Sequence, residues 1–420
     1  MIAAKGSIKN KIYIIDVTNR DGVQTANLGL AKLEKTLLNK YLGSMGVFQS
    51  EFGFPMTKHE TNYLRANLEL AEMGVMKDMR LSGWLRATVG DVVQGKKLVP
   101  ELKYVNLSIS TSDQMIDHKF KGKINKKKVI KGMTDAVKAA KDSGIIAVGV
   151  NAEDASRSDL DYLVEFAAAA KEVGADRFRY CDTLGYDSPF SIYDRIKYIL
   201  EKVKIDTELH CHNDLGMVVA TSLCGAKAAI DSGVNAYINT TVNGLGERAG
   251  NADLVSCILA VKKSNGFAGN SKYVLDKKID LKKAWKIANY ASYAFGVPIP
   301  MNQPGVGANA FAHESGIHAD GALKDRRNYE LYDYEELGRG GVEKIETGRM
   351  ITTGEYGGIK GFRNVYGKIA IKFKSEDEAK RILDLVRFAN VHTQKPLVED
   401  ELKFIAKYPE QAEKILTVTP

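Results

Sequence analysis

Cysteine is scarce in this 420-residue chain: four thiols, Cys181, Cys211, Cys224 and Cys257, stand apart with no CxxC spacing. That pattern argues against a disulfide-stapled scaffold or a zinc knuckle and fits free buried thiols in a reducing compartment. Long apolar runs are missing too. None approaches the ~20 residues a membrane-spanning helix needs, and the opening stretch Met1 to Asn10 is polar, without the apolar core of an export signal. A cytoplasmic protein with no membrane partner is expected. The formal charge is +8, but the lysines and arginines are dispersed except for one run, Lys119 to Lys128, which reads as a solvated loop and helix start. Aromatic interleaving, helix-turn-helix and zinc-finger signatures are absent, so no nucleic-acid partner is expected and an acidic small molecule suits the charge instead. No GxGxxG follows the first apolar run, which weighs against an open dinucleotide-binding sheet.

What is present is 44% hydrophobic residues, enough for a sizeable core, arranged with a regular period. Eight β-branched runs alternate with amphipathic stretches: Ile12–Val17, Val47–Phe52, Leu81–Arg86, Tyr104–Ile109, Ile145–Val150, Arg177–Cys181, Thr207–Cys211 and Ala236–Thr241. The helical stretches between them often end in glycine, at Gly74, Gly144, Gly174 and Gly233, as helix C-caps prefer. Strand followed by helix, eight times, predicts an α/β fold of the (β/α)8 TIM-barrel type over residues 1–265. A linker with a helix over 266–300 and a smaller, mainly helical C-terminal region over 301–420 complete the expected layout.

Barrel chemistry gathers at strand C-terminal ends. Polar residues there are Arg20, Asp21 and Gln24 after strand one, Glu51 after two, Arg86 after three, Ser110 to Ser112 after four, Asn151 and Glu153 after five, Thr183 after six and Asn243 after eight. Strand seven ends in Glu208-Leu-His-Cys-His-Asn-Asp214, where strand alternation turns His210 and His212 to one face. One carboxylate, Asp21, and two imidazoles suit a divalent ion, Mn, Co, Mg, Fe or Zn, with positions open to substrate. A 2-oxo acid chelates such an ion through its carboxylate and ketone oxygens, and Arg20 adds a fixed planar cation beside it.

Five ordered motifs carry a resemblance. Asp16-Val-Thr-Asn-Arg-Asp-Gly-Val-Gln24, Asn151-Ala-Glu-Asp-Ala-Ser-Arg157, Asp182-Thr-Leu-Gly185, the histidine stretch and Asn243-Gly-Leu-Gly-Glu-Arg-Ala-Gly-Asn251 resemble the signatures of the isopropylmalate/homocitrate synthase family, in register from about residue 12 to 330. Those metal-dependent TIM-barrel acyltransferases condense acetyl-CoA with a 2-oxo acid. The resemblance implies Asp21, His210 and His212 as metal ligands, with Asn251 a further one. It implies Arg20 and Thr183 on the 2-oxo acid carboxylate, and Gln24 and Glu51 lining the site. Glu153, His318 and Tyr329 would handle the acetyl-CoA methyl proton, the last two reaching in from the partner protomer of a homodimer.

Departures from the family pattern bear on the acid. Lysine-pathway homocitrate synthases hold the distal carboxylate of 2-oxoglutarate with residues that this chain replaces by Trp84, Gly149 and Asn151. A bulky Trp84 shortens the pocket and Gly149 removes a counter-charge, so a dicarboxylate shorter than 2-oxoglutarate is expected. Asp-Val-Thr-Asn-Arg-Asp-Gly-Val-Gln-Thr25, Gln49-Ser-Glu-Phe-Gly-Phe-Pro55 and Leu107-Ser-Ile-Ser-Thr-Ser-Asp113 resemble a branch of the family that uses oxaloacetate, which implies citrate as product. The distal carboxylate would then meet Arg86 or the Ser110 to Ser112 hydroxyls. Homocitrate synthase is the alternative and isopropylmalate or citramalate synthase a remote one.

Overall fold

The protein is seen in a computed structural model that describes residues 10–276, 278–340, 350–352, 354, 356–393, 397, 399–407 and 409–416, divided into two compact units, Met1–Ile299 and Pro300–Pro420. In the first unit eight strands run parallel: β1 (Lys11–Asp16), β2 (Gln49–Gly53), β3 (Arg80–Arg86), β4 (Tyr104–Ser110), β5 (Ala147–Glu153), β6 (Arg177–Asp182), β7 (Asp206–Cys211) and β8 (Ala236–Thr240). Each pairs with the next, and β8 pairs back onto β1 with Ile14 opposite Ile238, which closes the sheet. The TIM barrel expected from the sequence is the observed fold.

Helices α1 (Lys32–Met45), α2 (Thr61–Glu72), α3 (Val89–Leu98), α4 (Asp113–His118), α5 (Lys126–Asp142), α6 (Leu160–Glu172), α7 (Pro189–Lys202), α8 (Val218–Asp231) and α9 (Leu254–Lys263) follow the strands. Their starts are marked chemically: side-chain oxygens of Thr88, Ser112, Asn125, Asp159, Ser188 and Asp253 accept free backbone N–H groups of the first turns of α3 to α7 and α9. In α5, Val129, Met133, Ala136, Val137 and Ala140 are buried at the three-to-four spacing of one helix face. Phe166 of α6 meets Phe178 of β6 with ring centroids 6.4 Å apart, so the apolar residues of β6 face the helices.

The alternate residues of β6 face the lumen. Arg177 Nη2 donates to Gln49 Oε1 at 2.9 Å and Arg179 Nη2 to Glu51 Oε1 at 2.8 Å, joining β6 to β2 across the barrel. The interior is therefore largely polar, and this explains two strand ends. β4 continues through Ser110 and β5 through Glu153, beyond the expected Ile109 and Val150. Serine, asparagine and glutamate read as loop in a barrel expected to be filled by apolar side chains, yet here they face an interior able to pair them.

The segment 266–300 contributes β9 (Val274–Leu275), which pairs with β1, and α10 (Ala284–Phe295), whose Tyr290 lies edge-on to Tyr41 of α1 at 5.1 Å. The second unit holds β10 (Ala312–His313), α11 (Gly316–Lys324), β11 (Met350–Ile351), α12 (Ile359–Lys368), α13 (Glu376–Thr393), α14 (Glu399–Lys407) and α15 (Pro409–Leu416), with β10 and β11 paired. Phe362, Tyr366, Ile382, Val386 and Leu402 build its core. Among the described residues no helix is long and apolar enough to cross a membrane.

Candidate active site

At the C-terminal mouth of the barrel lies a cleft of about 280 Å³, lined by Arg20, Asp21 and Gln24 after β1, Trp84 of β3, Asn151 and Glu153 of β5, Thr183 after β6, and His210 and His212 at the end of β7. Eight residues given site roles by sequence thus share one cavity, together with Trp84. The turn after β1 is shaped by Asp16, whose Oδ1 accepts from Thr18 N at 2.9 Å, and Arg20 and Asp21 follow directly. The two imidazoles stand 5.1 Å apart at 85°, and His212 Nε2 lies 4.0 Å from Asp21 Oδ2. Ligand-type atoms of Asp21, His210 and His212 all fall within 4.8 Å of one another.

Several polar atoms of these residues and of Asn251 lack protein partners. Asp21 Oδ2, His210 Nδ1, His212 Nδ1 and Asn251 Oδ1 are buried without a hydrogen bond, an arrangement that costs stability unless a bound group satisfies it. Asn251 is delivered by a bridge between its backbone and His212. A methyl on Gly246 would sit 1.9 Å from Asn251 Oδ1 and 3.2 Å from Asp21 Oδ2, so only glycine leaves the cradle open. Burial pushes both imidazoles down, His210 well below its ordinary value with Arg20 adding to the effect, which keeps them in the neutral form a metal needs. Burial acts upward on Asp21, but the Arg20 guanidinium outweighs it and holds the carboxyl below its usual range. The donor set fits a divalent cation.

Arg20 is fixed by two bonds, Nη1 to Asp21 Oδ1 at 2.6 Å and Nε to Glu51 Oε2 at 2.7 Å. Glu51 was expected to line the site. Instead it lies fully buried and outside the cleft lining, with its oxygens taken by Arg20, by Arg179 at 2.8 and 3.3 Å, and by Asn106 Nδ2 at 2.7 Å. Burial would raise its carboxyl, but Arg179 and Arg20 drive it far below the usual value, which favours the charged form. Arg86 is also displaced from its expected role: Nε and Nη2 hold both oxygens of Asp91 at 2.8 and 2.9 Å, and the side chain is absent from the cleft. The expected hydroxyls are engaged as well. Ser110 bonds Glu153, Thr111 bonds the Glu153 carbonyl at 3.0 Å, and Ser112 caps α4.

Glu153 is held by Ser110 Oγ and by Lys119 Nζ, at 2.9 and 2.7 Å from its two oxygens. Lys119, read from sequence as part of a solvated run, is a cleft-side ion-pair partner. Thr183 Oγ1 accepts from Asp154 N at 2.9 Å, which leaves its hydroxyl proton for another acceptor. Sequence reading missed Arg179, Ser108 and Arg248 in the lining. For Arg179 a signal existed: it alternates with Cys181 and Arg177 in Arg-Phe-Arg-Tyr-Cys, two charges on the same face of one strand. His318 and Tyr329 belong to the second unit, where their rings stack at 4.2 Å, and His313 Nε2 there lies 3.1 Å from Glu330 Oε1.

A closed parallel barrel that collects a carboxylate and two neutral imidazoles at its C-terminal mouth defines a TIM-barrel enzyme with a candidate divalent-metal centre. Residues 11–290 match the family described as HMGL-like, and residues 306–391 the one described as homocitrate synthase post-HMGL domain-like; the chain belongs to the HMGL-like family. It is 62% identical over 98% of its length to the Citrate (Re)-synthase of Dehalococcoides mccartyi (strain CBDB1), covering 99% of that protein. To the 2-isopropylmalate synthase 2 of Caldanaerobacter subterraneus subsp. tengcongensis it is 39% identical, with 94% of each chain covered. To the homocitrate synthase 1 of Nostoc sp. (strain PCC 7120) it is 34% identical, covering 95% of this chain and 97% of that one. Among solved structures, the hydroxymethylglutaryl-CoA lyase of Pseudomonas aeruginosa shares the fold, with TM-score 0.55, 14% identity, and coverage of 69% of this chain and 95% of that one.

Proposed function

We propose that the chain is a Re-type citrate synthase, condensing acetyl-CoA with oxaloacetate and water to give citrate and free CoA. The observation that carries this is the Asp21, His210 and His212 cluster beside Arg20, in a chain 62% identical to a Citrate (Re)-synthase. Arg20 and Arg248 present guanidinium groups to the cleft, which suits an anionic acid.

Asp21, His210 and His212, with Asn251 adjacent, would hold the ion, taken as Mn, Co, Mg or Zn; when bound it polarises the ketone oxygen. Arg20 and the Thr183 hydroxyl hold the carboxylate next to the ketone, with Gln24 at the cleft edge. Ser108 and the Asn151 amide replace Arg86 and the Ser110 to Ser112 hydroxyls as partners of the distal carboxylate. Trp84, edge-on to Phe54 at 5.8 Å, forms an aromatic wall that limits the length of the acid. Glu153, oriented by Ser110 and Lys119, works with His318 and Tyr329 of a partner protomer to move the methyl proton of acetyl-CoA. The enolate carbon then bonds to the ketone carbon, and hydrolysis of the thioester releases CoA.

Thiol release from acetyl-CoA with added Mn²⁺ tests this against oxaloacetate, 2-oxoglutarate, 2-oxoisovalerate and pyruvate. Oxaloacetate is expected to be the preferred acid, and a chelator should abolish turnover until metal returns. Preference for 2-oxoglutarate would favour homocitrate synthase instead, the enzyme after which the family matching 306–391 is named. Citrate made from labelled acetyl-CoA, cleaved by a lyase that releases the pro-S arm, should leave the label in oxaloacetate. Sharing of the site between protomers predicts that an Asp21→Ala chain and a His318→Ala chain, each inactive alone, regain part of the activity when co-assembled.

A further inference from the structure

We propose that Asn106, seated over Gly149, is a positioning residue for Arg20, and that the absence of a side chain at 149 serves this seat. The inference rests on the reading of Arg20 as the clamp for the 2-oxo acid carboxylate. Strands β4 and β5 pair Asn106 directly with Gly149. A methyl carbon at 149 would lie 1.8 Å from Asn106 Oδ1 and 3.0 Å from its amide carbon. No side chain at 149 is compatible with that amide orientation, so any addition drives Asn106 out of place. Glycine there had read as the loss of a counter-charge; the space is instead filled by a neighbour's amide.

That amide has one hydrogen-bond partner, and it is functional in consequence. Asn106 Nδ2 donates to Glu51 Oε1 at 2.7 Å, while the buried Oδ1 faces Gly149 with no partner. Glu51 in turn receives Arg20 Nε at 2.7 Å. Arg179, the other donor to Glu51, is divided between Glu51 and Glu208, whose Oε2 it reaches at 2.6 Å. Asn106 is therefore the neutral donor that sets where the Glu51 carboxylate stands between two guanidinium groups. Fixing that carboxylate fixes the plane of Arg20 at the cleft wall, without Asn106 touching substrate.

The test is a double-mutant cycle on the metal-loaded full chain. Gly149→Ala should raise KM for oxaloacetate about tenfold or more, with KM for acetyl-CoA and Mn²⁺ affinity changed less than about twofold. Asn106→Ala should give a smaller rise of the same kind. The double variant should match Asn106→Ala alone, because the methyl then has nothing to displace. Effects that multiply in the double variant, or a parallel rise in both KM values, would overturn the proposal. If Gly149→Ala fails to fold, folding of the double variant supports the seat and failure of both overturns it. An unchanged oxaloacetate KM in Arg20→Lys would sink the clamp reading itself, while the coupling of 106 and 149 would still be read from urea midpoints.

Discussion

The two sides of the cleft pair their carboxylates to different extents. On the side built from β1, β7 and the loop after β8, Asp21 Oδ2, His210 Nδ1, His212 Nδ1 and Asn251 Oδ1 are buried and unpartnered. On the side built from β2, β4 and β6, both oxygens of Glu51 are filled by Arg20, Arg179 and Asn106, and Arg179 is also bound to Glu208. Buried polar atoms without partners weaken a fold, and satisfied networks stiffen it. The first side is shaped to receive something; the second is shaped to stay still. Substitutions on the first should therefore remove activity with little loss of stability, and on the second the reverse order should hold.

The largest effect is expected from Asp21→Ala or His210→Ala. Loss of a ligand that contributes several kcal/mol of charge stabilisation should lower kcat by about a thousandfold or more, while the urea midpoint of the metal-free protein stays level or rises. A metal-free midpoint that fell steeply would mean that these residues are scaffold. Across the cleft, Arg179→Ala strips one of two charge partners from each of two fully buried carboxylates, Glu51 and Glu208, leaving Arg20 and Arg177 as the others. Breaking a buried ion pair from one side costs about 3–5 kcal/mol, readable as a lower unfolding free energy in urea. Should Arg179→Ala leave stability intact and lose only turnover, the two sides would not differ as described.

How far these contrasts could be read in advance depends on distance along the chain. The barrel was legible because its signal is local and repeated eight times. The histidine pair was legible because strand alternation puts residues two apart on one face. The Glu51, Arg179 and Asn106 network was not, because it forms across the lumen between strands that are not neighbours, and register across a barrel is invisible in a single sequence. Lys119 misled for a related reason: its partner Glu153 lies 34 residues further on, so the local context shows only a run of lysines. Arg86 misled in the other direction, since its partner is five residues away. Thr88 capping α3 and Asp91 within the first turn form a start signal that could have identified the pairing.

Asp16 tests how far the satisfied scaffold reaches behind the cleft. It is fully buried, and burial raises its carboxyl to about 7, despite the two bonds from Thr18 at 2.9 and 3.0 Å. A folded-state pKa above the unfolded one means that the native state binds the extra proton. Its stabilising effect is present in acid and is lost as pH rises from about 4 to about 7, at up to ~1.4 kcal/mol per unit. Asp16→Asn keeps the shape and removes the titration. It should raise the unfolding free energy by up to about 4 kcal/mol at pH 8 and change it little at pH 4, measured by urea denaturation at both. An equal shift at both pH values would mean that Asn acts through packing rather than through the buried charge.

The smallest effect is expected at Arg86, and its smallness is informative. Arg86 stands at the end of β3, where catalytic residues of this fold gather, and its charge suits a distal carboxylate. The structure gives the guanidinium to Asp91 through two bonds, with two thirds of the Arg86 side chain exposed. Solvent screens such a pair, so Arg86→Ala should cost no more than about 1 kcal/mol of stability. The same substitution should leave KM for oxaloacetate within about twofold, whereas Asn151→Ala, which removes a cleft-facing amide, should raise it about tenfold. A large KM change at position 86 would require Arg86 to leave Asp91 and enter the cleft when substrate binds. The second side of the cleft would then contain a moving part, and the division into a receptive wall and a rigid one would fail at that point.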